Sequence, residues 1–168
     1  MRYCELTEVD PAALAQWFAG SKVVDRHGRP MKMYHGTDAD FEHFHPGSHF
    51  GTVKAANQRV RYRQRHFPHA DIDGSKILPV YLRITNPLQV TDMEASEESA
   101  LLNGIARGRY PDLDLDVARH EGAYKAAQMA GYDGLVYKNR MEDRGQPSYV
   151  IFEPSQVRSA ISDSRLHP

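Results

Sequence analysis

Helix and strand signals do not alternate regularly along this chain, and that pattern argues against a doubly wound parallel sheet. Asp10-Pro11 followed by apolar Ala12, Ala13, Leu14, Trp17 and Phe18 predicts an N-capped helix closed by Gly20. Asp25 to Pro30 reads as a turn, Met31 to Tyr34 as a short strand, and Val53 to Arg65 as a helix. Lys76 to Ile84 is a regular strand with Ile77, Val80, Leu82 and Ile84 apolar; Asn86-Pro87 stops it and Leu88 to Val90 resumes the sheet. Two helices are expected next, from Ser96 to about Arg107 and from Asp114 to Ala130, the second ending at Gly131. Strands follow at Leu135 to Tyr137, at Tyr149 to Phe152 and, on an edge, at Val157 to Ile161. Such segregation predicts one α+β domain over residues 1–162, with 163–168 as a frayed tail.

At 168 residues, 40% hydrophobic and 26% charged, the chain can bury its own core. A formal net charge of −1 gives no ground to expect a general nucleic-acid binder. The single cysteine, Cys4, excludes an internal disulfide and fits a reducing compartment. No apolar run approaches the roughly 18 residues a membrane span needs, and Met1 to Asp10 lack a signal pattern. A cytoplasmic protein without membrane partners is expected; a toxin delivered into a target cell by another route would look the same.

Two short stretches carry the chemistry. Met33-Tyr34-His35-Gly36-Thr37 ends an apolar run in a His-Gly pair, where a glycine allows close backbone approach to a ligand. His35 could bond a sugar hydroxyl or merely cap the strand end. Ser148-Tyr149-Val150-Ile151-Phe152 is a strand that stops at Pro154-Ser155-Gln156. Arg59, Arg61, Arg63 and Arg65 spread around a helix and favour a solvated surface, with one guanidinium meeting a phosphate as the other reading. His43, His45, His49, His66 and His69 cluster in sequence, yet no cysteine pairs with them and no helical His-Glu-x-x-His occurs, so no metal site is expected.

Together the two stretches resemble the ADP-ribosyltransferase fold, in which a Tyr-His-Gly-Ser/Thr strand and a late Glu-Tyr-(Val/Ile)-Val-Tyr/Phe-Asp strand wall an NAD cleft. Trp17 to Asp25, Phe41-x-x-Phe44, Ile84-x-Asn86-Pro87-Leu88 and Gly131 to Tyr137 follow in the right order. That set is similar to ADP-ribosyltransferase-like domains of phage and mobile-element polyproteins, from about Trp17 to Ala160. The resemblance implies a split, mainly antiparallel sheet with flanking helices and NAD as co-substrate. It also implies transfer of ADP-ribose to a macromolecular acceptor, a protein in preference to a nucleic acid, by a phage or bacterial effector or toxin. It places His35 on the adenosine ribose, Gly36 on the nicotinamide amide, Thr37 under the turn, and Tyr34 and Tyr149 in the facing strands. Phe50, in Ser48-His49-Phe50-Gly51-Thr52, stands where a tyrosine usually stacks on the nicotinamide. His49 takes that place if the register slips by one residue, and a purely core Phe50 is the plain alternative.

The family's carboxylate stands immediately before the Tyr-Val-Val strand, where this chain has Ser148. Glu142, three residues after Asn139 and in a loop short enough to fold back, is the expected substitute; Gln146 is a second candidate for orienting the acceptor, and Glu153 takes a structural place at the strand end. A carboxylate there would stabilise the oxocarbenium-like charge formed as the nicotinamide–ribose bond breaks. An active mono-ADP-ribosyltransferase is therefore expected, with a catalytically inactive NAD-, ADP-ribose- or protein-binding module as the alternative. An RNA 2′-phosphotransferase of the same fold would need an Arg and His set that has no match here.

Overall fold

The computed structural model describes residues 10–37, 43–66 and 75–161. Among these residues seven strands form two sheets. In the three-stranded sheet, β1 (Met33–Thr37) and β7 (Val157–Ser159) flank β3 (Lys76–Leu82), all antiparallel. In the four-stranded sheet the order is β2 (His49–Phe50), β6 (Pro147–Ile151), β5 (Gly134–Lys138) and β4 (Pro87–Gln89). Only the β4–β5 pair is parallel. The sheets touch where Tyr34 and Gly51 exchange main-chain hydrogen bonds of 2.8 and 3.0 Å. This is the split, mainly antiparallel α+β arrangement the sequence resemblance implies.

The first helix, α1 (Pro11–Phe18), starts as its residues dictate: the Asp10 carboxylate accepts from the Ala12 N–H, and Pro11 occupies the first turn where its missing donor costs nothing. α2 (Val53–His66) begins at Thr52, whose hydroxyl oxygen accepts from the Ala55 N–H. It crosses β1 so closely that a Cβ on Gly36 would lie 2.6 Å from the Ala56 carbonyl oxygen. Gly36 is thus required by helix packing, independently of any ligand.

Of the two helices expected between the strands, the first stands as one helix with a short extra helix before it, and the second is broken in two. The Thr91 side chain and Glu94 form a capping box that starts α3 (Asp92–Ser96); Glu97 is extended and α4 (Glu98–Ala106) follows. Asp114 caps α5 (Leu115–His120), and α6 (Ala123–Met129) starts after Gly122, whose φ of 105° no helix accommodates. A Cβ there would meet the Glu98 carboxylate at 2.7 Å, and that carboxylate accepts the Tyr124 N–H. The break is therefore set by a contact between distant residues.

Two cores flank the four-stranded sheet. Phe50, Tyr149 and Ile151 face the three-stranded sheet and pack with Val23, Met33, Phe44, Val80 and Leu82. Leu135, Val150 and Phe152 face the helices and pack with Leu88, Leu101, Ala126 and Ala127. At the loop before β5, Asp133 accepts hydrogen bonds from the Thr85 and Asn86 main chain and the Thr85 hydroxyl, tying β4 to β5. The Asn86-Pro87 and Gly131-Tyr132-Asp133 segments thus serve the sheet. Among the described residues no helix is long and apolar enough to cross a membrane.

Candidate functional site

A cleft of about 710 Å³ opens where the two sheets meet α2, within the roughly 300–1,000 Å³ range of small-molecule sites. One wall is β1, through Tyr34, His35, Gly36 and Thr37; β2 and β6 add His49 and Ser148. The opposite side is the loop after β5, through Asn139, Met141 and Glu142, with Asp92 and Ser96 of α3. α2 closes the third side with Ala55, Ala56 and a row of arginines that includes Arg59 and Arg63. α2 carries no acidic residue at all.

Strand pairing explains which side chains reach this cleft. Phe50 pairs with Tyr149 and Tyr149 with Val136, so these three share the inter-sheet face. The neighbouring residues, His49 on β2, Ser148 on β6 and Tyr137 on β5, point to the opposite face because strand side chains alternate. Tyr137 pairs with Ser148 directly, and the His49 ring lies edge-on to Tyr137 with its Nδ1 3.0 Å from the phenol oxygen.

His35 and His49 are both neutral at neutral pH. The His35 Nδ1 is 2.7 Å from the His49 carbonyl oxygen, which can only accept, so the ring proton resides on Nδ1. Burial lowers the His35 pKa; that hydrogen bond opposes the shift and Arg59 adds to it. Phe44 and Phe50 pack against the ring at 5.3 and 5.4 Å. His49 is pushed down to about 4, first by burial and then by Arg59 and His35.

Glu142 reaches the cleft on a loop that Asn139 organises. The Asn139 carboxamide oxygen accepts from the N–H groups of Met141 (3.0 Å) and Glu142 (2.7 Å). Glu142 Oε2 accepts from Asn139 Nδ2 at 3.2 Å, and Oε1 lies 3.9 Å from Arg59 Nη1. Its side chain keeps 25% of its exposure, so the carboxylate is held and still open to a ligand. Beside it, Thr52 and Lys54 hold the Asp143 carboxyl below the usual range as they hydrogen-bond it. Asp143 is the anchor and Glu142 the group presented.

The expected site residues divide by this geometry. Tyr34, His35, Gly36, Thr37, His49, Ser148 and Glu142 all border the cleft. Phe50 corrects the expectation of a stacking face: its edge borders the cleft, but the ring is 1% exposed and packed on Phe44 and His35. The one-residue slip weighed above is what strand alternation produces, with His49 turned to the cleft. Tyr149 also faces away, into the inter-sheet core, and leaves its place in the wall to Ser148.

Gln146 is exposed outside the lining, and Glu153 accepts from Gln128 on the helical side. His43 and His45 are exposed, His66 stacks on Tyr62, and His69 lies outside the described residues. Among the described residues no three metal-ligating side chains converge. The arginines of α2, expected on a solvated surface, are all exposed there, and Arg59 to Arg65 also border the cleft. Sequence reasoning missed Tyr137, Asp92 and the role of Asn139. Parity with Ser148 could have placed Tyr137, and the Asn-x-x-Glu spacing is a local Asx signal.

Residues 25–165 match the sequence model of a family described as ADP-ribosyltransferase in polyvalent proteins. No curated protein and no solved structure matches the chain.

Proposed function

The chain belongs to the ADP-ribosyltransferase family of polyvalent proteins, and from that premise we propose that it cleaves NAD and transfers ADP-ribose to a macromolecular acceptor. The observation that carries the proposal is a carboxylate, Glu142, held in a cleft that His35, His49 and the arginines of α2 also line. That donor set suits a dinucleotide. Arginines grip a diphosphate bidentately, and Arg59 and Arg63 of α2 are placed for it. His35, neutral with its proton on Nδ1, suits a ribose hydroxyl. His49, half-buried and turned to the cleft, offers a ring surface there that Phe50 does not.

In the reaction the nicotinamide–ribose bond breaks and nicotinamide leaves with the bonding electrons. Glu142 stabilises the positive charge left on the ribose. The acceptor's nucleophilic atom then bonds the anomeric carbon and gives up its proton to Glu142 as general base. A protein acceptor and a role as a phage or bacterial effector accord with the polyvalent family.

Labelled NAD mixed with the protein and a cell lysate is expected to label a discrete species and to release nicotinamide. Glu142→Ala should abolish both, by about 10³-fold or more, with the melting temperature kept. Absence of label together with absence of nicotinamide contradicts the proposal. The buried Ser148 hydroxyl, at the place of the family's carboxylate, favours one alternative, a binding module without turnover. That reading predicts thermal stabilisation by NAD and indifference to Glu142→Ala.

A further inference from the structure

Asn139 is 3% exposed, and its side chain joins more partners at the cleft than any role given above requires. Its main chain closes the base of the loop, through Asn139 N–H to Gln146 (3.0 Å) and Gly145 N–H to Asn139 (2.8 Å). Its carboxamide oxygen shapes the tip by accepting from Met141 and Glu142. Its Nδ2 donates to Glu142 Oε2 at 3.2 Å and to Ser148 Oγ at 3.3 Å.

We infer that Asn139 is the positioning residue for the Glu142 carboxylate. Through it, the loop supplies the acid that Ser148 does not. The inference rests on the reading of Glu142 given under Proposed function.

The surroundings make Asn139 the deciding contact. On either side of Glu142 the backbone is pinned. The Arg140 N–H donates to Asp92 Oδ2 at 2.7 Å, and the Asp143 N–H to Gln58 Oε1 at 2.6 Å. Asp143 accepts from the Thr52 hydroxyl at 2.6 Å and pairs with Lys54 at 2.9 Å. Its φ of 40° lies in the left-handed region that Asp tolerates better than most residues. With the main chain fixed, the carboxylate's remaining torsions are set by Asn139 Nδ2 on one oxygen and Arg59 on the other. A donor aimed at an ionised carboxylate favours one orientation of it. The Ser148 hydroxyl accepts from the same nitrogen and so holds the amide plane.

Asn139→Asp separates positioning from folding. The remaining Oδ1 can still accept from Met141 and Glu142, while Nδ2 becomes an oxygen facing the Glu142 carboxylate. Nicotinamide release should then show kcat down about tenfold or more with KM for NAD within about twofold. A purely structural residue would lower the melting temperature without that split between kcat and KM.

Asn139→Ser is the second variant should the first not fold. Its hydroxyl can accept from the turn but is too short to reach Glu142, and the same kcat loss is expected. Wild-type kcat in a folded variant, with Glu142→Ala dead, overturns this inference alone. A Glu142→Ala protein that keeps its activity, or a wild-type chain that releases no nicotinamide, overturns it together with the proposed function.

Discussion

The two faces of β6 make opposite uses of adjacent residues. Tyr149 and Ile151 enter a dry core between the sheets, where they meet Phe50, Val80 and Leu82. Ser148, one residue earlier, is just as buried, yet its neighbours are Asn139, Tyr137 and the cleft. A period of two is all that separates a packing position from a functional one. The lesson for this fold is that a motif read as one block, Ser148-Tyr149, is two instructions addressed to different faces.

The comparison breaks most visibly on the core side. Tyr149→Ala should cost about 3–5 kcal/mol, as for other large aromatic truncations in a packed core, seen as a lower denaturation midpoint in urea. A loss below about 1 kcal/mol would mean that the inter-sheet face is not the core described here. Gly36→Ala comes next. The added methyl meets the Ala56 carbonyl, which belongs to a helix backbone and cannot swing aside. A loss of about 1–3 kcal/mol is expected from overpacking, with weaker NAD binding as α2 is displaced. A neutral result would mean that α2 can retreat without cost.

A pH effect sharpens the cleft side. Unfolded His49 binds a proton near 6.5 and folded His49 only near 4. Between those values the unfolded state holds more protons, so stability is fully present above 6.5 and declines as pH falls toward 4. His35, shifted in the same direction, adds to the slope. His49→Gln should flatten part of it in urea titrations between pH 4 and 6.5, and an unchanged slope would place the titration elsewhere.

Much of this was legible in the residues. The caps at Asp10 and Asp114, the Lys76 strand, and the His-Gly pair at the end of β1 are local signals, and local physics decides them. Glu142 could be nominated because it follows Asn139 by three residues in a loop short enough to fold back. What resisted reading depends on distant partners. Whether His49 or Phe50 faces the cleft is fixed by a two-residue strand pairing with Tyr149 and Val150, and a stretch that short carries no periodicity of its own. The helix break at Gly122 depends on the Glu98 carboxylate accepting from Tyr124. The arginines of α2 look scattered on a helical wheel, and that they border the cleft becomes visible once Gly36 has drawn the helix across β1.

A crystal structure of the Glu142→Ala protein with bound NAD tests the central claim most directly. The account predicts NAD in the cleft between β1 and the Asn139 loop, its nicotinamide ribose beside residue 142 and its diphosphate against α2. NAD bound elsewhere, or in this cleft with the ribose turned away from that loop, would contradict it.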